Sequence, residues 1–318
     1  MKATPIAWLF YFRHMKIALV INPKAGTLRS KDALIESFER KASELLPQSE
    51  FRILLTEYPG HATILAKESA DNAFDICIAA GGDGTMNEVA SGLTGSQTAL
   101  GIVPLGSGNG LARHLKISLD PLTAFTQMLL GTSRQMDVGM VNDRKFFLAA
   151  GIGFEGVVAH RFAGKNTRGF FQYLLSSAET FFHYQPINVA GSADGIGFSS
   201  TAFTLTLANG SEYGNGAIIS PGSKIDDGFL QFIRIKPFPI WRSVGLFIRL
   251  MTGSLESSRY YESQTFRKLR IESAISLNGH IDGEPVVFGN VLDAEIIPMG
   301  LWIRHPQAAI PVLPTQKV

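Results

Sequence analysis

A glycine turn between an apolar strand and a helix constrains the fold of this chain more than any other feature. Residues 75–80 form an apolar run that is typical of a buried parallel strand. The run ends at GGDGT (residues 81–85), and a helical pattern opens near Glu88. Such a turn lets backbone N–H groups approach a phosphate, which the helix dipole also favours. An ordinary strand–helix loop accounts for one or two glycines, but not for three around an aspartate.

Two further glycine loops follow apolar strands near the start of the chain. The strand at 16–21 leads into NPKAG (residues 22–26), and the strand at 100–104 leads into GSGNG (residues 106–110). In an open α/β sheet, loops at the carboxyl ends of parallel strands gather where ligands bind. The sequence therefore predicts a phosphate-binding site built from these loops.

Strand and helix patterns alternate along the first part of the chain. Apolar positions predict helices near Ser30–Leu46 and Ala62–Ser69 and a strand at Phe51–Leu55. Pro121 stands at the start of another predicted helix. This βα alternation indicates a parallel sheet covered on both faces. We expect an α/β nucleotide-binding domain at residues 15–137.

The pattern changes from about Asp137 onwards. Short apolar runs separated by Gly, Asn and Ser turns predict an antiparallel β-sandwich at residues 138–298, with helical stretches near Glu155–Tyr184 and Ile240–Met251. The final segment, about 299–318, is expected to pack back on the first domain. The predicted strands are Phe146–Ala150, Ile187–Val189, Ala202–Ala208, Phe229–Ile235, Lys268–Ser273 and Val291–Ile297.

Taken together, the motifs resemble one enzyme family. NPKAG, GGDGT and PLGSGN (residues 104–109) look like the catalytic domain of diacylglycerol and sphingosine kinases, and more closely the bacterial lipid kinases of that family. The resemblance implies an N-terminal domain like those of phosphofructokinases and NAD kinases, followed by a β-sandwich. It continues through GIGF (151–154), SPGSKIDDGFL (220–230) and DGEP (282–285).

The resemblance implies an ATP- and Mg²⁺-dependent lipid kinase that phosphorylates a hydroxyl of diacylglycerol or of a sphingoid-type alcohol. Asp83 is the main candidate, because its carboxylate either holds Mg²⁺ on the ATP phosphates or helps to deprotonate the acceptor. Many diacylglycerol kinases carry Asn-Asp where this chain has Asn109-Gly110, which leaves the lipid acceptor open. By the family pattern, the nucleotide contacts are Asn22, Pro23, Lys24, Ala25, Gly26, Thr56, Gly81, Gly82, Asp83, Gly84, Thr85, Asn87, Glu88 and Ser107.

The resemblance implies roles for two later motifs, and each of them, taken alone, is interpreted as an ordinary turn. The carbonyls of Lys224 and Phe229 and the carboxylate of Asp227 resemble a structural Mg²⁺ site, which hard oxygen ligands suit. Taken alone, this stretch is an Asp-Gly turn before a strand. Glu284 resembles the family's general base, which would face Asp83 across a cleft between the domains, whereas DGE alone signals only a turn.

Another glycine pattern, GIGFEG at residues 151–156, fits the spacing of a dinucleotide-binding loop. No acidic residue follows where a ribose contact would need one, and no βαβ unit surrounds the pattern. Gly164-Lys165 likewise lacks the flanking residues of a Walker A loop. We therefore expect ATP to bind at the glycine loops of the first domain.

Composition narrows the functional class. The chain has 318 residues and a net charge of +2, and its scattered basic residues give no case for nucleic acid. The single cysteine, Cys77, lies in an apolar run and indicates an inert thiol in a reducing compartment. No stretch is long and apolar enough to predict a membrane span. We expect a cytoplasmic enzyme that meets its lipid at a membrane surface, with a homodimer left open.

Three features have alternative interpretations. Residues 1–14 precede Met15 and are interpreted as an upstream translation start or a disordered leader, with a membrane-touching peptide as the alternative. The amphipathic stretch 241–251 either packs on its own sandwich, which is favoured, or docks on an anionic membrane beside Arg242 and Arg249. The rival functions are an NAD kinase-like small-molecule kinase and a nucleotide-binding regulatory protein without catalysis.

Overall fold

The computed structural model describes residues 14–26, 31–163, 177, 179–213 and 216–306. The chain forms two compact units. Among these described residues, the first unit contains those up to Leu105, 115–134 and those from Leu301, and the second contains Gly106–His114 and those of Gln135–Gly300. The predicted leader up to Arg13, the pair Gly164-Lys165 and the end from Gln307 lie outside the described residues.

The first unit is built on a parallel sheet. Strands β1 (Lys16–Ile21), β2 (Glu50–Leu55), β3 (Ile76–Gly81) and β4 (Ala99–Pro104) lie parallel in the order β2-β1-β3-β4. β3 and β4 are buried along their whole length, and β1 along nearly all of it, as their continuous apolar sequences predict. The predicted α/β architecture is confirmed.

Helices connect these strands and cover the sheet. The helices Lys31–Leu45 and Pro121–Leu130 pack through Phe38 and Phe125, whose ring centroids lie 4.7 Å apart. The helices His61–Asp71 and Asp83–Leu93 approach closely at Gly92, where a Cβ would lie 2.5 Å from the carbonyl oxygen of Thr63. The helices are α1 (Lys31–Leu45), α2 (His61–Asp71), α3 (Asp83–Leu93), α4 (Gly110–His114) and α5 (Pro121–Leu130), of which α4 belongs to the second unit.

The second half of the chain is mainly β-structure. Its strands are β5 (Thr132–Val141), β6 (Arg144–Phe146), β7 (Ala149–Gly153), β8 (Ile187–Ala193), β9 (Ile196–Ala202), β10 (Thr204–Ala208), β11 (Leu230–Ile235), β12 (Tyr261–Phe266), β13 (Lys268–Glu272), β14 (Asn278–Ile281), β15 (Glu284–Val287) and β16 (Val291–His305). One antiparallel sheet has the order β12-β11-β10-β7-β14-β15, and a second contains β16-β13-β8-β9. Phe146, Phe232 and Phe266 are fully buried in the core of this unit. The predicted β-sandwich is confirmed.

Helices α6 (Phe154–Ala163) and α7 (Ser243–Met251) accompany these strands, and a 3-10 turn at Ile240–Arg242 leads into α7. The helix predicted over Glu155–Tyr184 is described as α6 up to Ala163, and most of its remainder lies outside the described residues. Among the described residues, no helix is long and apolar enough to cross a membrane.

The strand predicted at Phe146–Ala150 is wrong, because the chain forms two strands there. The N–H groups of Phe147 and Leu148 donate to the carboxylate of Asp282 at 3.0 and 2.9 Å instead of joining a ladder. β6 therefore ends before them and β7 begins after them.

The strand predicted at Ala202–Ala208 is also divided. β9 and β10 lie in different sheets, and the chain changes sheet at Phe203, whose N–H donates to the carbonyl oxygen of Ile235 at 2.7 Å. The sequence does not predict β5, β9, β12, β14 or β15. β5 begins with four polar residues, β9 is largely exposed, β12 is largely polar, and β14 and β15 are only 4 residues long.

The end of β16 completes the first unit. Ile303 pairs in parallel with Leu100 of β4. The buried side chain of Arg304 donates to the carbonyl oxygens of Met128 and Leu129 at 2.8 and 3.0 Å. These carbonyls lie at the C-terminal end of α5, where a cation stabilises the helix dipole.

Candidate active-site residues

The carboxyl ends of β1, β3 and β4 bring the starts of the predicted loops together. The N–H of Asn22 donates to the carbonyl oxygen of Ala80 at 3.1 Å, and its Nδ2 donates to Oγ1 of Thr85 at 3.2 Å. The N–H of Leu105 donates to the carbonyl oxygen of Gly81 at 2.8 Å. All three loops therefore begin at one edge of the parallel sheet.

The NPKAG turn is stabilised by its own asparagine. Oδ1 of Asn22 accepts the N–H of Lys24 at 2.9 Å, and its carbonyl oxygen accepts the N–H of Ala25 at 3.1 Å. Gly26 has a φ of +71°, and a Cβ there would lie 2.7 Å from the carbonyl oxygen of Leu105. Because glycine alone tolerates both conditions, the turn can lie against the start of the loop after β4.

The GGDGT turn forms the N-terminus of α3. Gly82 is the N-cap and makes no side-chain cap hydrogen bond, so the first N–H groups of the helix suit an anion. A Cβ on Gly81 would lie 2.5 Å from the side chain of Thr85, which explains why glycine precedes the helix. Asp83 and Gly84 open α3 and are half-buried.

Glu88, predicted to contact nucleotide, also caps a neighbouring helix. Its Oε1 accepts the N–H of Gly60 at 2.9 Å, and its Oε2 accepts the N–H of Ala62 at 3.2 Å. The hydroxyl of Thr63 donates to the Glu88 carbonyl oxygen at 3.0 Å. α2 begins after Gly60, which has no side chain to cap it, so Glu88 supplies the acceptor that the helix needs.

Two further predicted nucleotide contacts lie in the first unit. The N–H of Thr56 donates to the carbonyl oxygen of Ile21 at 2.9 Å, which sets Thr56 at the same sheet edge as the NPKAG turn. Asn87 lies on α3, where its Oδ1 accepts the hydroxyl of Ser91 at 3.4 Å. Their nucleotide roles stay predictions.

The GSGNG loop clusters with the second unit and is stabilised by Asn109. Oδ1 of Asn109 accepts the N–H of Gly106 at 3.1 Å, and its Nδ2 donates to the Gly106 carbonyl at 2.7 Å. Ser107, the predicted nucleotide contact, is exposed. A Cβ on Gly110 would lie 2.5 Å from Cδ2 of Leu148, so the aspartate of the family pattern would require the Leu148 side chain to shift.

The turn that carries Glu284 is fixed by a neighbouring carboxylate. Asp282 accepts the backbone N–H groups of residues 147–149 at 3.0, 2.9 and 3.1 Å. Glu284 follows as the first residue of β15, and its side chain is exposed. Asp282 therefore has a structural role, and the predicted base projects from a fixed turn.

A buried polar cluster contacts this turn. Nε2 of His280 lies 3.4 Å from Oε2 of Glu155, and the two side chains expose only 7% and 10% of their surface. Nδ1 of His280 accepts the N–H of Gly283 at 3.3 Å, so the ring hydrogen sits on Nε2 and points to Glu155. Thr206 donates its hydroxyl to Oε1 of Glu155 at 2.9 Å and bonds to the hydroxyl of Tyr213. Sequence reasoning missed this pair, because no spacing relates Glu155 to His280.

Packing explains the glycines of the GIGFEG pattern. A Cβ on Gly151 would lie 1.7 Å from Oε1 of Glu155, and one on Gly156 would lie 2.2 Å from the carbonyl oxygen of Asn278. Gly153 has a φ of +91°. Each position thus excludes or strains a side chain without reference to any phosphate.

The predicted magnesium loop is anchored by a buried aspartate. Asp137 accepts the N–H of Gly228 at 2.7 Å and that of Met299 at 2.8 Å. Oδ1 of Asp227 accepts the N–H of Phe229 at 3.1 Å, which closes the turn. The described residues contain no group of three or more His, Cys, Asp or Glu side chains able to hold a metal. The ligands predicted here are one carboxylate and two backbone carbonyls, which would not form such a group of side chains. The magnesium role therefore stays a prediction.

Comparison with protein families covers both halves of the chain. Residues 16–141 match the diacylglycerol kinase catalytic domain. Residues 149–304 match the YegS C-terminal NAD kinase beta sandwich-like domain.

Individual relatives span nearly the whole chain. A diacylglycerol kinase of Bacillus subtilis (strain 168) is 30% identical over 93% of this chain and 97% of its own length. A probable lipid kinase, YegS-like, of Pseudomonas aeruginosa (strain UCBPP-PA14) is 29% identical over 94% of this chain and 96% of its own. The crystal structure of a putative diacylglycerol kinase from Bacillus anthracis (strain Sterne) shares the fold, with a TM-score of 0.76 at 23% identity over 93% of this chain and 99% of that one. The chain therefore belongs to the diacylglycerol kinase catalytic-domain family of lipid kinases.

Proposed function

We propose that this enzyme transfers the γ-phosphoryl group of ATP, in the presence of Mg²⁺, to the hydroxyl of diacylglycerol or of a sphingoid-type alcohol. The observation that carries the proposal is the meeting of the NPKAG turn, the N-terminus of α3 and the start of the loop after β4 at one sheet edge. The acceptor class is supported by relatives named diacylglycerol kinase and YegS-like lipid kinase.

The residues at this edge suit a triphosphate. The first N–H groups of α3 follow a glycine N-cap that offers no side-chain acceptor, so phosphate oxygens can accept from them. Lys24 is exposed on the adjacent turn and adds a cation. Thr85 and Asn87 would add side-chain hydrogen bonds, and Ser107 would add a hydroxyl from the next loop.

Mg²⁺ bound with ATP would neutralise phosphate charge and orient the γ-phosphoryl group. Asp83 would hold it, because this carboxylate opens α3 beside the proposed phosphate position and supplies hard oxygen ligands. Lys224, Asp227 and Phe229 would hold a second, structural ion, in a loop that Asp137 already shapes.

Glu284 would act as the general base. Its exposed carboxylate can accept the proton of the lipid hydroxyl while the lipid oxygen bonds to the γ-phosphorus and the bond to ADP breaks. The contacts of Asp282 and His280 fix the turn from which Glu284 projects, and fixed orientation is what such a transfer requires.

The test is transfer from labelled ATP with Mg²⁺ to a panel of diacylglycerol, monoacylglycerol, sphingosine and ceramide, with NAD as a non-lipid acceptor. We expect a labelled phospholipid from the wild type and at least about a hundredfold less from Asp83→Asn. Asp71→Asn, which changes an exposed carboxylate on α2, should react like the wild type. Phosphorylated NAD would instead indicate a small-molecule kinase, and ATP binding with no product would indicate a regulatory protein.

A further inference from the structure

One helix of the second unit is apolar on the side that faces solvent. α7 and the 3-10 turn before it expose 75% of Trp241, 67% of Val244 and 55% of Ile248. Their spacing sets these side chains on one helical face. On the opposite side, Leu246 and Leu250 pack against the core of this unit. The helix is therefore apolar on two faces. Packing on its own sandwich, as expected from the sequence, buries one of them and leaves the other exposed to solvent.

The chain around the exposed face is basic. The segment from Lys236 to Leu255 contains three basic residues and no acidic one. Lys236 pairs with Glu262, and one guanidinium nitrogen of Arg249 donates to the carbonyl oxygen of Ser254 at 3.4 Å and to the hydroxyl of Ser257. Arg242 and Arg249 lie seven positions apart on one flank of the exposed face. Arginines beside an apolar helical face are typical of helices that lie in a membrane interface, where the stems follow the apolar layer and the guanidinium groups bind headgroups.

The size of the face favours a bilayer over a second copy of the chain. α7 has 9 residues and the 3-10 turn before it has 3. Together they are about 19 Å long, and their outer face covers on the order of 300 Å². A stable protein–protein interface buries about 800 Å² on each partner. A bilayer has no such requirement, because each inserted side chain leaves water independently.

We propose that Trp241, Val244 and Ile248 insert into the surface of a bilayer that contains anionic lipids, while Arg242 and Arg249 bind headgroup phosphates. The inference rests on the proposed function in one respect, namely that the acceptor of a lipid kinase resides in such a bilayer. α7 is then the docking element of the unit that also carries Glu284.

The fluorescence of Trp241 measures the insertion of its own side chain into a bilayer. The chain has three tryptophans, so Trp8→Phe and Trp302→Phe together leave Trp241 as the sole emitter. Its emission should shift to the blue with vesicles of phosphatidylcholine and phosphatidylglycerol, less with phosphatidylcholine alone, and the shift should weaken as salt rises. Emission that is already blue and ignores vesicles would mean that another part of the protein covers the face, and it would overturn the proposal.

Co-sedimentation with the same vesicles measures the contribution of the face. The double variant Val244→Glu/Ile248→Glu should bind at least about tenfold more weakly, and Arg242→Gln should bind more weakly with a smaller salt dependence. Ile196→Glu is the matched control, because Ile196 is 77% exposed on β9 and should bind like the wild type. Wild-type binding by the double variant overturns the proposal. The proposal is also overturned if the wild type and Ile196→Glu form dimers, while the double variant is monomeric and still binds vesicles.

Turnover on a short-chain, water-dispersed diacylglycerol separates this proposal from the proposed function. The double variant should keep that turnover and lose turnover on vesicle-embedded diacylglycerol. If no lipid is phosphorylated but vesicle binding still depends on α7, the docking surface stands and the kinase proposal fails. If lipids are phosphorylated and vesicle binding ignores α7, the kinase proposal stands and the docking surface fails.

Discussion

The imidazole of His280 joins the buried carboxylate of Glu155, 3.4 Å from its Nε2, to the backbone of Gly283, whose N–H its Nδ1 accepts. One ring therefore links a buried charge to the turn that carries Glu284. His280→Leu removes the donor to Oε2 of the buried Glu155, although Thr206 still donates to Oε1, so the free energy of unfolding should fall by about 2 kcal/mol. Urea denaturation measures the change.

A double-mutant cycle checks that the loss comes from this pair. Glu155→Gln removes the charge, so Glu155→Gln/His280→Leu should be more stable than the sum of the two single losses predicts. Simple additivity would mean that Glu155 and His280 do not interact energetically.

Glu88→Ala should destabilise the first unit, because it removes both acceptors from the start of α2. The expected loss is about 1 kcal/mol, as for other N-cap deletions. Glu57→Ala, which alters an exposed glutamate just before α2, is the control. Unchanged thermal unfolding with weaker binding of an ATP analogue would instead assign Glu88 to the nucleotide alone.

Glu284→Gln should lower kcat by at least about a hundredfold and leave the affinity for a non-hydrolysable ATP analogue unchanged. A base acts on the acceptor hydroxyl, so its removal slows the chemical step. Single-turnover kinetics and calorimetry measure the two quantities, with Glu295→Gln on β16 as the control. Weaker nucleotide binding with a normal chemical step would make Glu284 a nucleotide or metal contact.

Mg²⁺ without nucleotide should raise the Tm of the wild type more than that of Asp227→Ala. An ion that binds only the folded state stabilises it by mass action. Asp226→Ala, one position earlier in the same exposed loop, should respond like the wild type. Equal responses of all three proteins would remove the structural ion.

Stability above pH 9 should depend on Cys77. Burial raises the pKa of its thiol from 9.0 to about 12, an effect that a hydrogen bond with Ser69 partly offsets. Between these pH values the thiol loses its proton in the unfolded chain and keeps it in the folded chain. Ionisation therefore stabilises the unfolded state, and the free energy of unfolding falls as the pH rises above 9. The stability of wild type relative to Cys77→Ala should fall by about 1 kcal/mol from about pH 8 to about pH 10. A constant difference would mean that the thiol ionises equally in both states.

The sequence predicts the first unit better than the second for a physical reason. Buried parallel strands such as β1, β3 and β4 are apolar throughout, so residue type alone marks them. In the sandwich, the break after Phe146 depends on a carboxylate at Asp282, more than a hundred positions later. Polar β12 carries no comparable pattern, since its middle residues are exposed.

The candidate site residues differ in the same way, because some belong to local sequence motifs and others act through contacts between distant segments. Asp83 and Glu284 stand in short motifs whose residues are adjacent in the sequence, so a pattern could point to them. The cap that Glu88 provides to α2 and the contact of Glu155 with His280 arise only when distant segments meet. Such contacts leave no periodicity or spacing in the chain.

The last residues of β16 determine when each unit can be completed during synthesis. A nascent chain that ends before Leu301 already contains every residue of the second unit, whereas its β4 pairs with β3 but still lacks Ile303, the partner of Leu100 on β16. It also lacks Arg304, whose side chain binds the carbonyls at the end of α5. The ribosome therefore starts the proposed ATP-binding unit first, yet that unit is the later of the two to have its full set of strands.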